Sequence, residues 1–349
     1  MKAKIRLLAS ASLAVAAHGP CEAGVVRKLC VYDLLGASGS VFGMAKDYAV
    51  ESQKLGESLE IKAYTDERVA SEDFKTGQCD AVILTGFRAR QFNSVSGTLD
   101  SLGSATIIKD GKIDMPSSYE VLHKAIAIFA APQAAKLMTE GAFEVGGVIP
   151  LGAAYPVVND RKLSTVEALA GKRIAAFDHD KAQATMTQRI GAQPISADIT
   201  NFATKFNNGA VDLIAAPGLA YKPLELYKGI GTKGGINRFP ILMLTSQLII
   251  RSDRFGEGFG TKSRKFWLEQ YDRAMQIVEQ NDASIPKSTW IEMSPENGRK
   301  YTLMFRDARL ELGKTGVYDK RGLKMLKKIR CGIAPSDLEC STDSEDTWK

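Results

Sequence analysis

Histidine is scarce in this chain, with three among 349 residues, and only His123 and His179 lie beyond the N-terminal segment. Neither is matched by a Cys or carboxylate cluster at metal-ligand spacing, so no metal site and no cofactor are expected. No Gly-x-Ser-x-Gly elbow occurs, and no serine or cysteine stands beside an evident base. Nothing therefore marks a covalent nucleophile, and no catalytic residue is assigned. No segment after residue 23 supplies the roughly twenty consecutive apolar residues of a membrane helix. A strong excess of charge is missing too: the formal net charge is +6, which asks for neither nucleic acid nor a membrane surface.

Two glycine-rich words resemble phosphate loops without the context that gives them a mechanism. "GIGTKG" (229–234) matches Gly-x-Gly-x-x-Gly, but a helix-like segment and not a strand precedes it. "GFGTKS" (258–263) lacks an adjacent Gly-Lys pair and an upstream strand, so it reads as a loop leading into a helix.

The N-terminus carries Lys2, Lys4 and Arg6, then "LLASASLAVAA", then small residues ending "CEAG". That order is a secretory signal, cleaved after Ala23. Pro20 stands where a small residue precedes a lipidated cysteine, which disfavours Cys21 as an anchor. Cleavage removes three basic residues and one acidic one, Glu22, so +6 becomes +4. Cys30, Cys79, Cys331 and Cys340 remain, an even number suited to an oxidising compartment.

The richest signal is an internal echo. "KTGQCDAVILTG" (75–86) and "FNNGAVDLIAAPG" (206–218) share a Gly-x-x-Asp step into a small or β-branched run. Gly77 and Gly209 suit the left-handed ends of helices, and the runs after them suit strands covered on both faces. Upstream, "KLCVYD" (28–33) parallels "KRIAAFD" (172–178). Between these words the first half predicts a helix near 42–56, the strand 59–65 and a helix near 67–76. The second half predicts a helix near 181–190, the strand 193–196 and a helix near 199–207.

Right-handed crossovers turn each β-α-β-α-β half into a mostly parallel sheet with its first strand in the middle, and two such lobes imply a cleft. The fold class is α/β. Cys30 and Cys79 would lie near the N-terminal ends of neighbouring parallel strands, within bridging distance, and Cys331 and Cys340 would close a short loop. "AAYPVVND" (153–160) and "FPILMLTSQLIIRS" (239–252) read as strands passing through a hinge. Helices are predicted near 261–281, 294–313, with Ser294 as N-cap and Pro295 at N1, and 318–329, packing back on the first lobe. The expected division is a signal peptide (1–23), lobe I (24–152 and 247–330), lobe II (153–246) and a tail (331–349) whose end, "STDSEDTWK", is expected to fray.

In open α/β sheets ligands sit beyond the carboxyl ends of the strands. Those ends hold Ser38 and Ser40 in "DLLGASGS" and Arg88 and Arg90 in "LTGFRAR". The second half offers Asp178 and His179 in "FDHD", Pro217 and Tyr221 in "APGLAYKP", and Tyr155 on the hinge-side strand. Each has a plain alternative. The serines suit ordinary N-caps, His179 suits a loop, and a tyrosine is more often buried with a satisfied hydroxyl. The arginines face either a ligand or a carboxylate of the protein itself, such as Asp100.

Longer words carry a family resemblance: "CVYDLLGASG", "DFKTGQCDAVILTGFRARQFN", "GTLDSLG", "PLGAAY", "QRIGAQPISADITNF", "YKPLELYKG" and "RCGIAPSDLECS". The chain resembles a family of solute-binding proteins, one member of which was described as an efflux component linked to aminoglycoside resistance. It is distantly similar to substrate-binding subunits of TRAP transporters. The resemblance implies a two-lobed periplasmic-binding-protein fold, a periplasmic monomer of Gram-negative type, a small-molecule ligand and membrane transporter subunits as partners. In TRAP-type subunits an arginine in the second-lobe strand resembles a clamp for the ligand carboxylate. Here Ala175 takes about that position, with Arg173 two residues earlier. That departure moves the expected anion contact toward Arg88 and Arg90.

Three readings compete. A receptor that closes on a small anionic or carbonyl-bearing solute explains the duplication, the export signal and the missing catalytic set. A soluble accessory of drug efflux or envelope stress would bind cationic compounds, which suits two cleft arginines poorly. An enzyme would need Asp178, His179 and Asp180 as its acid–base set.

Overall fold

The computed structural model describes residues 25–109 and 112–347, so the signal peptide reading falls outside the described residues. Strand β1 (Val26–Tyr32) pairs in parallel with β2 (Ser58–Tyr64) on one side and β3 (Ala81–Thr85) on the other. Helices α1 (Ser40–Lys54) and α2 (Glu67–Lys75) form the crossovers. After α3 (Met115–Ala130) and the long strand β4 (Phe143–Val158), the same unit returns. It comprises β5 (Arg173–Phe177), α4 (Lys181–Arg189), β6 (Gln193–Ala197), α5 (Phe202–Asn207) and β7 (Leu213–Pro217). Strand β8 (Leu242–Arg251) follows. Both halves thus have the β-α-β-α-β order read from the sequence.

The two units are joined in one continuous sheet of order β2-β1-β3-β8-β4-β7-β5-β6. Strands β8 and β4 are antiparallel to each other and to their outer neighbours, β3 and β7. The two units are therefore connected through these two long strands. Strand β4 runs without a break from Phe143, ten residues before the expected start of the second lobe at 153.

The echo has a physical basis. Gly77 and Gly209 take φ of +80° and +72° and end α2 and α5. Asp80 then accepts the backbone N–H of Lys28 at 2.8 Å, and Asp212 accepts that of Arg173 at 2.9 Å. Each Asp fastens the entrance of its strand to a basic residue near the start of the neighbouring one. Arg173 adds two guanidinium bonds to Asp212, at 3.1 and 2.7 Å, and this pairing holds the Asp212 carboxyl down to about 2.

Both cysteine pairs are bridged. Cys30 and Cys79 join β1 to the entrance of β3 with Cα atoms 6.0 Å apart, and Cys331 and Cys340 close the short C-terminal loop. The predicted helix near 261–281 is divided at Gln270 into α6 (Phe259–Glu269) and α7 (Tyr271–Ala283), both packed on β4. Helix α8 (Pro295–Lys314) starts on the Ser294 cap, whose hydroxyl accepts from the Asn297 N–H at 3.3 Å. Helix α9 (Lys320–Ile333) returns to the first half against α3, whereas α8 lies on α4 of the second half. The reason is apolar surface: Tyr301, Phe305 and Leu312 of α8 join the core cluster that contains Ile174, Met186 and Leu213.

The expectation of a frayed tail is corrected. Glu339 and Glu345 are buried, and both meet Arg309; Arg330 donates to Glu339 at 2.6 Å. These guanidinium groups also bond the carbonyls of Leu102 and Ser104, at 2.6 and 2.5 Å. Acidic residues that look like a solvated end are counter-ions to arginines buried under α8 and α9.

Candidate functional site

The carboxyl ends of both parallel units face one another, and Arg88 and Arg90 lie at the junction. Strand β3 ends at Thr85, and a single helical turn, Gly86–Ala89, aims the following side chains across it. Arg88 pairs with Glu67 of its own lobe at 3.4 Å and donates from Nη2 to Nδ1 of His179 in the other lobe at 3.0 Å. Arg90 bonds the carbonyls of Gly97 and Asp100 at 3.1 and 3.3 Å, and reaches Asp180 of the second lobe at 3.4 Å. Its guanidinium also covers the Tyr318 ring at 4.9 Å.

The arginines therefore hold one lobe to the other through groups of the protein itself. Asp100 contributes its carbonyl and not its carboxylate, because that carboxylate is taken by Thr245, through the N–H at 2.8 Å and the hydroxyl at 2.5 Å. Burial pushes the Asp100 carboxyl up to about 7. Burial also raises Glu67, against the opposing pull of Thr85 and Arg88. His179 is held down to about 4, by burial first and then by the charges of Arg88 and Arg90.

Beside these ties lies a cavity of about 120 Å³. The first half contributes Thr85, Phe87 and Leu102, and the two long strands contribute Ala154, Pro156 and Leu244. The second half adds Phe177, Asp180 and Pro217, while α8 closes it with Tyr301 and Phe305. Ala175, at the position of the clamp arginine in the TRAP-type resemblance, is one of the lining residues, whereas Arg173 is spent on Asp212. The Tyr301 hydroxyl is buried with no partner among the described residues, while the Thr85 side chain supports the Glu67 carboxyl.

The other sequence candidates are placed as follows. Pro217 lines the cavity, and His179 stands beside it in the Arg88 bond. Ser38 and Ser40 are exposed and do not line it; Ser38 donates to the Leu35 carbonyl at 2.8 Å. The N-terminus of α1 is served by Asp33, which accepts from Phe42 N at 3.1 Å. Asp178 is exposed. Tyr155 and Tyr221 are buried outside the cavity lining. The Tyr155 hydroxyl meets Asp282 at 3.4 Å, and burial pushes that carboxyl up to about 6.

Sequence reasoning missed Glu67, Phe87, Phe177 and Tyr301. Glu67 follows the Asp66 cap, where an acidic residue serves the helix dipole, so nothing in the sequence singles it out. The aromatic residues read as ordinary core.

Residues 49–345 match the family described as "Solute-binding protein AdeT 1/2". The chain belongs to that solute-binding protein family. It is 42% identical to "Probable solute-binding protein AdeT1" of Acinetobacter baumannii over 315 residues, covering 90% of this chain and 100% of that one. To AdeT2 of the same organism it is 26% identical over 209 residues, 60% of this chain and 88% of the relative.

Solved structures agree on the fold. A TRAP periplasmic solute binding protein from Desulfovibrio salexigens, with bound orotic acid, superposes with a TM-score of 0.65 at 13% identity, over 88% of this chain and 99% of the other. One from Haemophilus influenzae, with bound L-gulonate, gives 0.67 at 13% identity, over 87% and 99%. The family is thus one of solute-binding proteins on the two-lobed architecture.

Proposed function

We propose that the protein is a periplasmic receptor, a monomer released by cleavage after Ala23, that holds one small anionic or carbonyl-bearing solute between its lobes and passes it to a membrane transporter. The observation that carries this reading is the cavity at the lobe junction, walled from both halves, with the Tyr301 hydroxyl of its wall left without a partner among the described residues. A buried hydroxyl without a partner costs free energy unless a ligand supplies one.

Arg88 does not line the cavity, and its Nη2 is held by His179 at 3.0 Å, so an anion reaches the guanidinium by displacing the imidazole. A solute acceptor replaces His179 on the Arg88 Nη2, so binding exchanges an internal tie between lobes for one through the ligand. The orotic acid and L-gulonate bound by the TRAP-type neighbours support the anion class. The efflux-accessory reading is not favoured, because a polycation would meet two guanidinium groups at the junction.

The test is native mass spectrometry of protein purified from the periplasm, before and after denaturation. A defined small-molecule mass that leaves on denaturation is expected. A protein that carries no such mass, and that stays unshifted in melting temperature across a panel of small acids, contradicts the reading.

A further inference from the structure

We infer that the solute has a compact apolar body, an aromatic ring or a short branched chain, and is not a polyhydroxylated acid. This rests on the receptor reading above and narrows its ligand.

The size comes from the cavity. Its volume of about 120 Å³ is close to that of an engineered apolar cavity of roughly 150 Å³ that accepts benzene. A six-membered ring or about five branched carbons fills such a space.

The chemistry comes from the walls. Phe87, Ile174, Phe177, Met186, Leu244 and Phe305 present carbon on all sides. Polar side chains in the lining are few and mostly committed. Asp180 is paired with Arg90 and caps α4 through the Ala182 N–H at 2.9 Å. Gln183 accepts from the Phe177 N–H at 2.9 Å. Thr187 and Tyr318 also line the cavity. Tyr301 supplies the lining hydroxyl that is buried without a partner among the described residues, since the Thr85 side chain serves the Glu67 carboxyl.

The Tyr301 hydroxyl offers one hydrogen bond to a carboxylate or carbonyl oxygen. A sugar acid brings several hydroxyls of its own, and each one buried without a partner lowers affinity by roughly tenfold. A ring or branched chain gains from the same walls in proportion to the apolar area it covers.

The experiment is calorimetric titration of the mature protein, freed of any carried solute by unfolding and refolding, with phenylacetate, 4-methylpentanoate, gluconate and galacturonate. At least one of the first two is expected to bind about a hundredfold more tightly than either sugar acid. Ala215→Leu, which adds three carbons at the cavity wall, is expected to weaken that binding at least tenfold with an unchanged melting temperature. Tyr301→Phe is expected to weaken it without closing the cavity, and serves if Ala215→Leu does not fold. Preference for the sugar acids overturns the inference and leaves the receptor reading standing. If none of the four binds, the inference falls, and the receptor reading is decided by the co-purified mass.

Discussion

Arg88 of the first lobe donates to Nδ1 of His179 in the second at 3.0 Å. Since a guanidinium only donates, the imidazole must accept there, which fixes it as neutral with its proton on the buried Nε2. Burial and the two nearby arginines hold its protonation down to about 4. Between about pH 6.5 and 4 the unfolded chain takes up a proton that the folded chain refuses, so the His179 contribution to stability falls as pH falls through that window. Asp100 and Asp282, raised to about 7 and about 6, act with the opposite sign, favouring the folded state as pH falls. Subtraction isolates the histidine. Urea unfolding is expected to show the stability of wild type relative to His179→Gln falling as pH drops from about 6.5 to 4, and parallel curves would contradict the cross-lobe bond.

Gly86 follows β3 because Asp100 is pressed against it. A Cβ at Gly86 would stand 2.4 Å from the Asp100 carboxyl carbon, which is fixed to Thr245. Gly86→Ala is therefore expected to cost about 1–3 kcal/mol in denaturant unfolding, an overpacking effect, and to weaken solute binding by shifting Thr85. A variant as stable as the wild type would show that the Asp100 loop yields freely.

The C-terminal residues form a clasp. Burial pushes the Glu339 carboxyl up, but Arg309 and Arg330 more than offset it and hold it below the usual range. Glu339→Ala leaves two buried guanidinium groups without their shared carboxylate, at a cost of roughly 3–5 kcal/mol. Equilibrium unfolding measures it. A cost below about 1 kcal/mol would mean that Glu345 compensates.

The two disulfides differ in the chain they enclose, with sequence separations of 49 and 9. Loop-closure entropy gives roughly 4 kcal/mol for Cys30–Cys79 and roughly 2.5 kcal/mol for Cys331–Cys340. Cys30→Ala/Cys79→Ala is expected to lose more stability than Cys331→Ala/Cys340→Ala. The reverse order in chemical denaturation would show that the shorter loop supports the clasp beyond its entropy.

What the sequence disclosed was whatever local chemistry repeats. Gly77 with Asp80 and Gly209 with Asp212 announce the same helix end and strand entrance twice, and from them come both lobes and the Cys30–Cys79 bridge. The positions of Arg88 and Arg90 were legible because they follow a strand end. Their partners were not: Glu67 reaches Arg88 through the packing of its own lobe, and His179 and Asp180 through the meeting of two lobes, which no local pattern encodes. The cavity was illegible for the same reason, since Thr85, Ala154, Phe177 and Tyr301 come from four separate stretches. Glu345 of the tail was misread because an acidic run looks solvated until its arginine is known.

The most direct measurement is a crystal structure with the bound solute. The account expects the molecule in the space bounded by Thr85, Phe177 and Tyr301, with an oxygen accepting from Arg88 and His179 displaced from it. A solute found elsewhere, or an Arg88–His179 bond left intact beside it, would contradict the account.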